Sequence, residues 1–152
     1  SSAQSRVLVR AVHEFGTPGA RNEASVQLLD QAIRSVASTG SVPFPWPQFR
    51  DLLSDRMNHL LDAFNARNPD CPDIDFARFE DQKVELNRLL HSFDAPPFTV
   101  QRMCEVLTGA HSQFPTTRRL CYSLFKLLSV TTTLETTHGG AAEAGAGVAE
   151  TG

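Results

Sequence analysis

The chain predicts an all-α fold, a single helical domain of five or six helices, and three observations carry that prediction. Apolar residues recur at i, i+3, i+4 and i+7 over several separate stretches, the signature of helices that bury one face. Those stretches begin at Asn, Ser, Thr, Asp or Pro and end at Gly or paired Pro, the residues that start and stop helices. The chain's 152 residues suffice for one core without disulfides or metals, and leave little room for a second full domain.

The first element is a short apolar segment over 6–15, with Val7, Leu8, Val9 and Val12, ending at Gly16. A better helix runs over 23–39, capped by Asn22 or Ser25, with Val26, Leu29, Ile33 and Val36 inward and Gly40 beyond its end. The prolines of SVPFPWP lock φ and hold the chain extended, so Phe44 and Trp46 sit on a stiff connector. Pro47 suits the first turn of a helix reaching about Arg67, whose wide apolar face comprises Phe49, Leu52, Leu53, Met57, Leu60, Leu61 and Phe64. That helix is expected to be the central packing element.

Residues 68–74 read as a loop, after which Asp75 caps a helix with Phe76, Phe79, Leu86, Leu89, Leu90 and Phe93 inward, interrupted by Gln82 and Lys83. Pro96 and Pro97 break it. The segment APPFTVQRMCEVLT then gives Thr99 as N-cap, a staple between Phe98 and Met103, and a stripe of Val100, Met103, Cys104 and Leu107 closed by Gly109. Thr116 or Thr117 starts the last helix, with Leu120, Cys121, Leu124, Leu127 and Leu128 inward. SVTTTL after it is β-prone, leaving room for a short β element near 129–134. Residues 135–152 turn to Gly, Ala, Thr and Glu and are expected to be a disordered tail, so the domain is placed at 1–134.

A formal charge of −3 with 20% charged residues lacks the basic excess of a nucleic-acid coat or membrane binder. No run approaches the length of a membrane span, and the first residues lack the regions of a signal peptide. The chain begins at Ser1 rather than Met, which suits a processed or truncated chain. Cys71, Cys104 and Cys121 are sparse and odd in number, which favours a reducing, intracellular setting. The five histidines are scattered without metal-ligand spacing, and a zinc site from Cys104, His111 and Cys121 competes with two cysteines at core positions. No nucleophile elbow or phosphate-cradling glycine loop occurs, so neither a catalytic residue nor a cofactor is expected.

Some residues resist a purely structural reading. Trp46 either anchors the start of its helix in the core or stands ready for a partner. Arg118 and Arg119 lie in a first turn, where the helix dipole disfavours cations by roughly 0.3–1 kcal/mol each. With Arg102 and Lys126 they make 99–128 basic within an acidic chain, opposed by Glu105. The acidic run Asp70, Asp73, Asp75, Glu80, Asp81 and Glu85 is most simply a solvated face.

Three motifs, in order, support a family resemblance. PFTVQRMCEVLT at 97–108, LLDQAIRSVASTG at 28–40 and WPQFRDLLSDRMNHLLDAF at 46–64 make the chain resemble the protein phosphatase 4 regulatory subunit 2 family over about residues 25–130. Residues 1–20, 68–74 and 109–117 depart from the pattern, and the last residues are Gly/Ala-rich where the family carries a long acidic tail. The resemblance implies a non-catalytic subunit that binds the protein phosphatase 4 catalytic subunit, often with regulatory subunit 3, in the nucleus and cytoplasm, including centrosomes. The candidate contacts, motif or basic-face residues that the helix stripes leave over, are Trp46, Gln48, Phe98, Gln101, Arg102, Glu105, Arg118 and Arg119. The rival reading is a helix-turn-helix nucleic-acid module with the helix from Thr117 as reader and SVTTTL as wing. Its connection of about seven residues exceeds the usual three or four, and an acidic chain repels phosphates.

Overall fold

A computed structural model of the chain describes residues 2–17, 22–67 and 73–134. Six helices form in chain order: α1 Ser2–His13, α2 Glu23–Thr39, α3 Trp46–Ala66, α4 Phe76–His91, α5 Val100–Thr108 and α6 Thr117–Leu128, with a 3-10 turn at Ala110–Gln113 between the last two. The all-α prediction holds. The expected β element reduces to a single antiparallel bridge between Pro97 and Thr133, closed by Phe98 N–H donating to the Thr132 carbonyl at 3.0 Å and Leu134 N–H to Pro96 at 2.8 Å. The expected tail at 135–152, with His138, and also Cys71, lie outside the described residues. Among the described residues no helix is long and apolar enough to cross a membrane.

Local chemistry explains most helix limits. At α2 the Asn22 side chain accepts from Ser25 N–H at 2.9 Å while the Ser25 hydroxyl accepts from Asn22 N–H at 2.8 Å, a reciprocal capping box. Gly40 ends α2 at φ 77°, in the left-handed region that glycine enters freely, and its N–H donates to the Val36 carbonyl at 2.8 Å. Asp75 caps α4 through Arg78 N–H at 2.9 Å, and Thr116 caps α6 through Arg119 N–H at 3.1 Å. At α5 the expected cap is absent. The Thr99 hydroxyl donates instead to the Leu127 carbonyl near the end of α6 at 2.6 Å, tying two helices together rather than closing one.

The core gathers along α3, from which Phe49, Leu52, Leu53, Met57, Leu61 and Phe64 are buried, and α1, α4, α5 and α6 all pack against it. Fully burying such a side chain contributes roughly 1.5–3 kcal/mol. Helices α2 and α5 approach most extensively, with the small Ala32 of α2 and Cys104 of α5 both fully buried. The α3–α4 contact carries a polar seam. Asn87 donates to Asn58 Oδ1 at 2.9 Å and to the Lys83 carbonyl at 2.7 Å, while accepting from the Ser54 hydroxyl. Lys83 reaches back to Asp62 at 2.6 Å and Glu80 at 3.2 Å, which accounts for the polar interruption of the α4 stripe.

Several expected core positions are corrected. Phe76 is 73% exposed, because the first residue of α4 precedes the turn that meets α3. Val7 and Val26 are exposed, and Leu60 and Leu89 are half-buried. On α5 Val106 is fully buried along with Val100, Met103 and Cys104, while the expected Leu107 is half-buried. A nine-residue helix enclosed by α2, α3 and α6 buries more than a single stripe.

Candidate functional site

The three motif segments meet where α5 packs on both α2 and α3, and a few of their polar groups, Gln101 and the Asp30–Arg56 pair, tie these helices together. Gln101 leaves α5 half-buried and donates through Nε2 to the Ala37 carbonyl at 3.1 Å, satisfying a carbonyl in the last turn of α2. Glycine is favoured at Gly40 by its positive φ, and a Cβ there would stand 2.9 Å from Gln101 Oε1, so the flexible amide would have to shift. The STG turn of α2 and the glutamine of α5 are therefore one device.

Trp46 is 7% exposed. Its ring lies 6.4 Å from the Phe49 ring, and its Nε1 donates to the Phe93 carbonyl at 2.9 Å, where Arg50 Nη1 also donates at 3.2 Å. The indole thus anchors the start of α3 to the carbonyl just past α4, and little of it is left to offer a partner. Gln48, on the same first turn, is half-buried. Phe98, assigned from sequence to a staple, is 52% exposed, and its N–H donates to the Thr132 carbonyl beside the Pro97–Thr133 bridge.

On the outer side of α5, Arg102 pairs with Glu105 at 3.1 Å, one turn apart and both accessible. Arg118 is held. Its N–H donates to the Asp73 carboxylate at 2.8 Å and its guanidinium to the Asp73 carbonyl at 2.8 Å. Asp73 thereby places an anion at the positive end of α6, which offsets the unfavourable first-turn cations. Thr117, fully buried, donates to Asn65 Oδ1 at 2.9 Å and ties the same helix end to α3. The start of α6 is consequently walled in by Asp73 and Asn65, unlike the free N-terminus a recognition helix requires. Arg119 remains exposed.

Cys104 and Cys121 are buried free thiols. Burial, aided by the Glu105 charge, pushes the Cys104 thiol far up, and burial with nearby Asp73 pushes Cys121 up to about 11. Both are protonated core groups at neutral pH. Among the described residues no three His, Cys, Asp or Glu side chains gather as a metal site would need.

The accessible motif residues form a discontinuous outer surface, and the inward polar groups of Trp46 and Gln101 join one helix to another. Asp73, read from sequence as part of a solvated acidic face, and Asn65, not singled out there, hold the start of α6. Their partners lie 45 and 52 residues away, and no local pattern announces such contacts.

The fold is that of a helical domain, six helices among the described residues, with Arg102 of α5 and Arg118 and Arg119 of α6 on its outer side. Comparison with known proteins specifies it further: the PPP4R2 family profile matches residues 17–147, and the chain belongs to that family. It is 30% identical over 128 residues to the serine/threonine-protein phosphatase 4 regulatory subunit 2 of Xenopus tropicalis, a match covering 81% of this chain and 31% of that protein. The Homo sapiens protein of the same name is 27% identical over 128 residues, covering 81% of this chain and 30% of that protein. The Drosophila melanogaster one is 29% identical over 113 residues, covering 70% and 19%. The chain thus spans less than a third of the length of these relatives. No solved structure matches it significantly.

Proposed function

We propose that this chain is a non-catalytic regulatory subunit that binds the catalytic subunit of serine/threonine-protein phosphatase 4 and modulates its activity or its targeting. The observation that carries this reading is the family match over residues 17–147, to relatives named as regulatory rather than catalytic subunits. The fold supports it, since α2, α3 and α5 form a packed platform whose remaining accessible groups point away from the core. Of the sequence-derived contacts, Gln48, Phe98, Gln101, Arg102, Glu105, Arg118 and Arg119 are accessible in whole or part, and Trp46 is buried. Trp46, Gln101 and Arg118 are in addition tied to Phe93, Ala37 and Asp73, so they also hold the helices that carry the others.

Within the same reading, phosphatase 4 regulatory subunit 3 is a further partner of the assembled complex. The site of action is the nucleus and cytoplasm, with centrosomes included. The phosphatase metals belong to the partner, and the chain contributes binding energy and orientation only.

The test is capture of purified phosphatase 4 catalytic subunit by the immobilised chain, compared with an Arg102→Glu/Arg119→Glu variant. Both arginines are exposed, so the variant is expected to keep its helicity and melting temperature while capture falls. Absence of capture by the unsubstituted chain refutes the function; undiminished capture by the variant refutes these two contacts.

A further inference from the structure

We propose that the groove between the 109–116 connection and the outer face of α6 is a docking site for an acidic peptide segment carrying one aromatic or aliphatic anchor. Helix α6 turns Leu120, Cys121, Leu124 and Leu128 into the core. Its opposite stripe carries Arg119, Tyr122 and Lys126, spaced three and four residues apart so that all lie on one face. This stripe borders a groove of about 520 Å³ whose apolar walls include the half-buried Phe114 and Leu127.

Two features distinguish this groove from an ordinary helix surface. Tyr122 is 65% exposed and flanked by charge, with Lys126 Nζ 5.5 Å from its ring centroid, so a flat aromatic surface is presented beside a cation. Arg119 and Lys126 form no ion pair among the described residues, whereas Arg102, Arg88 and Lys83 each hold a carboxylate. No Asp or Glu lines the groove, in a chain whose net charge is −3. The local field is therefore positive against an acidic whole, and a carboxylate-bearing segment complements it.

The apolar walls add the second requirement. A purely acidic peptide would leave Phe114 and Leu127 wet, while one aromatic or aliphatic side chain seated between them and Tyr122 removes apolar surface from water. A nucleic acid fits less well. Two cations neutralise too few phosphates for tight binding, and the acidic remainder of the chain opposes the rest. The inference concerns the chemistry the groove accepts and does not rest on the phosphatase reading, so either can fail alone.

The test uses a fluorescein-labelled peptide with one Phe flanked on each side by three Glu, titrated with the chain and followed by fluorescence anisotropy. Saturable binding is expected, weakening as salt is raised. Arg119→Glu/Lys126→Glu is expected to weaken it at least about tenfold, since two contacts turn repulsive. Tyr122→Ala, and replacement of the peptide's Phe by Ala, are each expected to weaken it as well, with circular dichroism and melting unchanged. No saturable binding, equal binding by the charge-reversed variant, or equal binding of a single-stranded oligonucleotide of the same charge would each overturn the proposal.

Discussion

Gly40→Ala puts the joint between α2 and α5 under the most informative strain, because two separate penalties meet there. The left-handed backbone at φ 77° costs an L-residue roughly 1–2 kcal/mol. About 0.5–1 kcal/mol of that is offset because alanine also stiffens the unfolded chain. The new Cβ, 2.9 Å from Gln101 Oε1, forces the amide aside and breaks its 3.1 Å bond to the Ala37 carbonyl, a loss of about 1 kcal/mol. The expected net cost is about 1–2 kcal/mol, read as a fall of roughly 3–8 °C in melting temperature for a domain of this size. Gln101→Ala alone removes only the hydrogen bond and is expected to cost about 1 kcal/mol. Since both substitutions break the same bond, the double variant should be less destabilised than the sum by about 1 kcal/mol. Strict additivity, or a Gln101→Ala variant that melts like the parent chain, would show that Gln101 does not clamp α2 and would return it to the list of free surface groups.

Three further outcomes are expected. Asp73→Ala removes the anion and acceptor at the start of α6 and should cost about 1–2 kcal/mol in chemical denaturation, with Thr116 still capping the helix. Trp46→Phe, which loses the donor to the Phe93 carbonyl but keeps a ring, should cost about 1–2 kcal/mol, against about 3–5 kcal/mol for Trp46→Ala. Cys104 and Cys121 should resist a thiol reagent at neutral pH in the folded chain and react on unfolding. Because the folded Cys121 holds its proton up to about 11 while its ordinary value is 9.0, the folded state binds more protons in that interval. Stability should accordingly fall as pH rises from about 9 toward 11, and a Cys121→Ser variant should show a smaller fall.

Local signals were sufficient where a helix closes on itself. The limits of α2, the Asn22 box, the Asp75 cap and the Thr116 cap all follow from residues within four positions of one another; sequence reading named Asp75 outright, and Asn22 and Thr116 each as one of two candidates. The same reasoning fails at Thr99, whose hydroxyl prefers a carbonyl 28 residues away to the amides of its own first turn. At Phe98 the local pattern also leaves something out, since its N–H donates to the Thr132 carbonyl, 34 residues on, and its side chain stays 52% exposed. Trp46 illustrates an ambiguity correctly posed and resolved by packing, as the indole N–H finds its acceptor 47 residues on. For the candidate contacts the dividing line is similar. Arg102 is exposed and Glu105 half-buried on the outer side of α5, as their helical spacing implies, but the contacts of Gln101 and Arg118 depend on Ala37 and Asp73, which no pattern in the sequence connects to them.

The central claim, that this helical domain is a phosphatase-binding regulatory subunit, meets its most direct test in the mass of the complex it forms. The purified chain and purified phosphatase 4 catalytic subunit, mixed at equal concentration, would be resolved by size-exclusion chromatography with light scattering. A stable species whose mass is the sum of one copy of each is the expected result. Two separate peaks at the masses of the free proteins, at concentrations where the chain is fully folded, would contradict it.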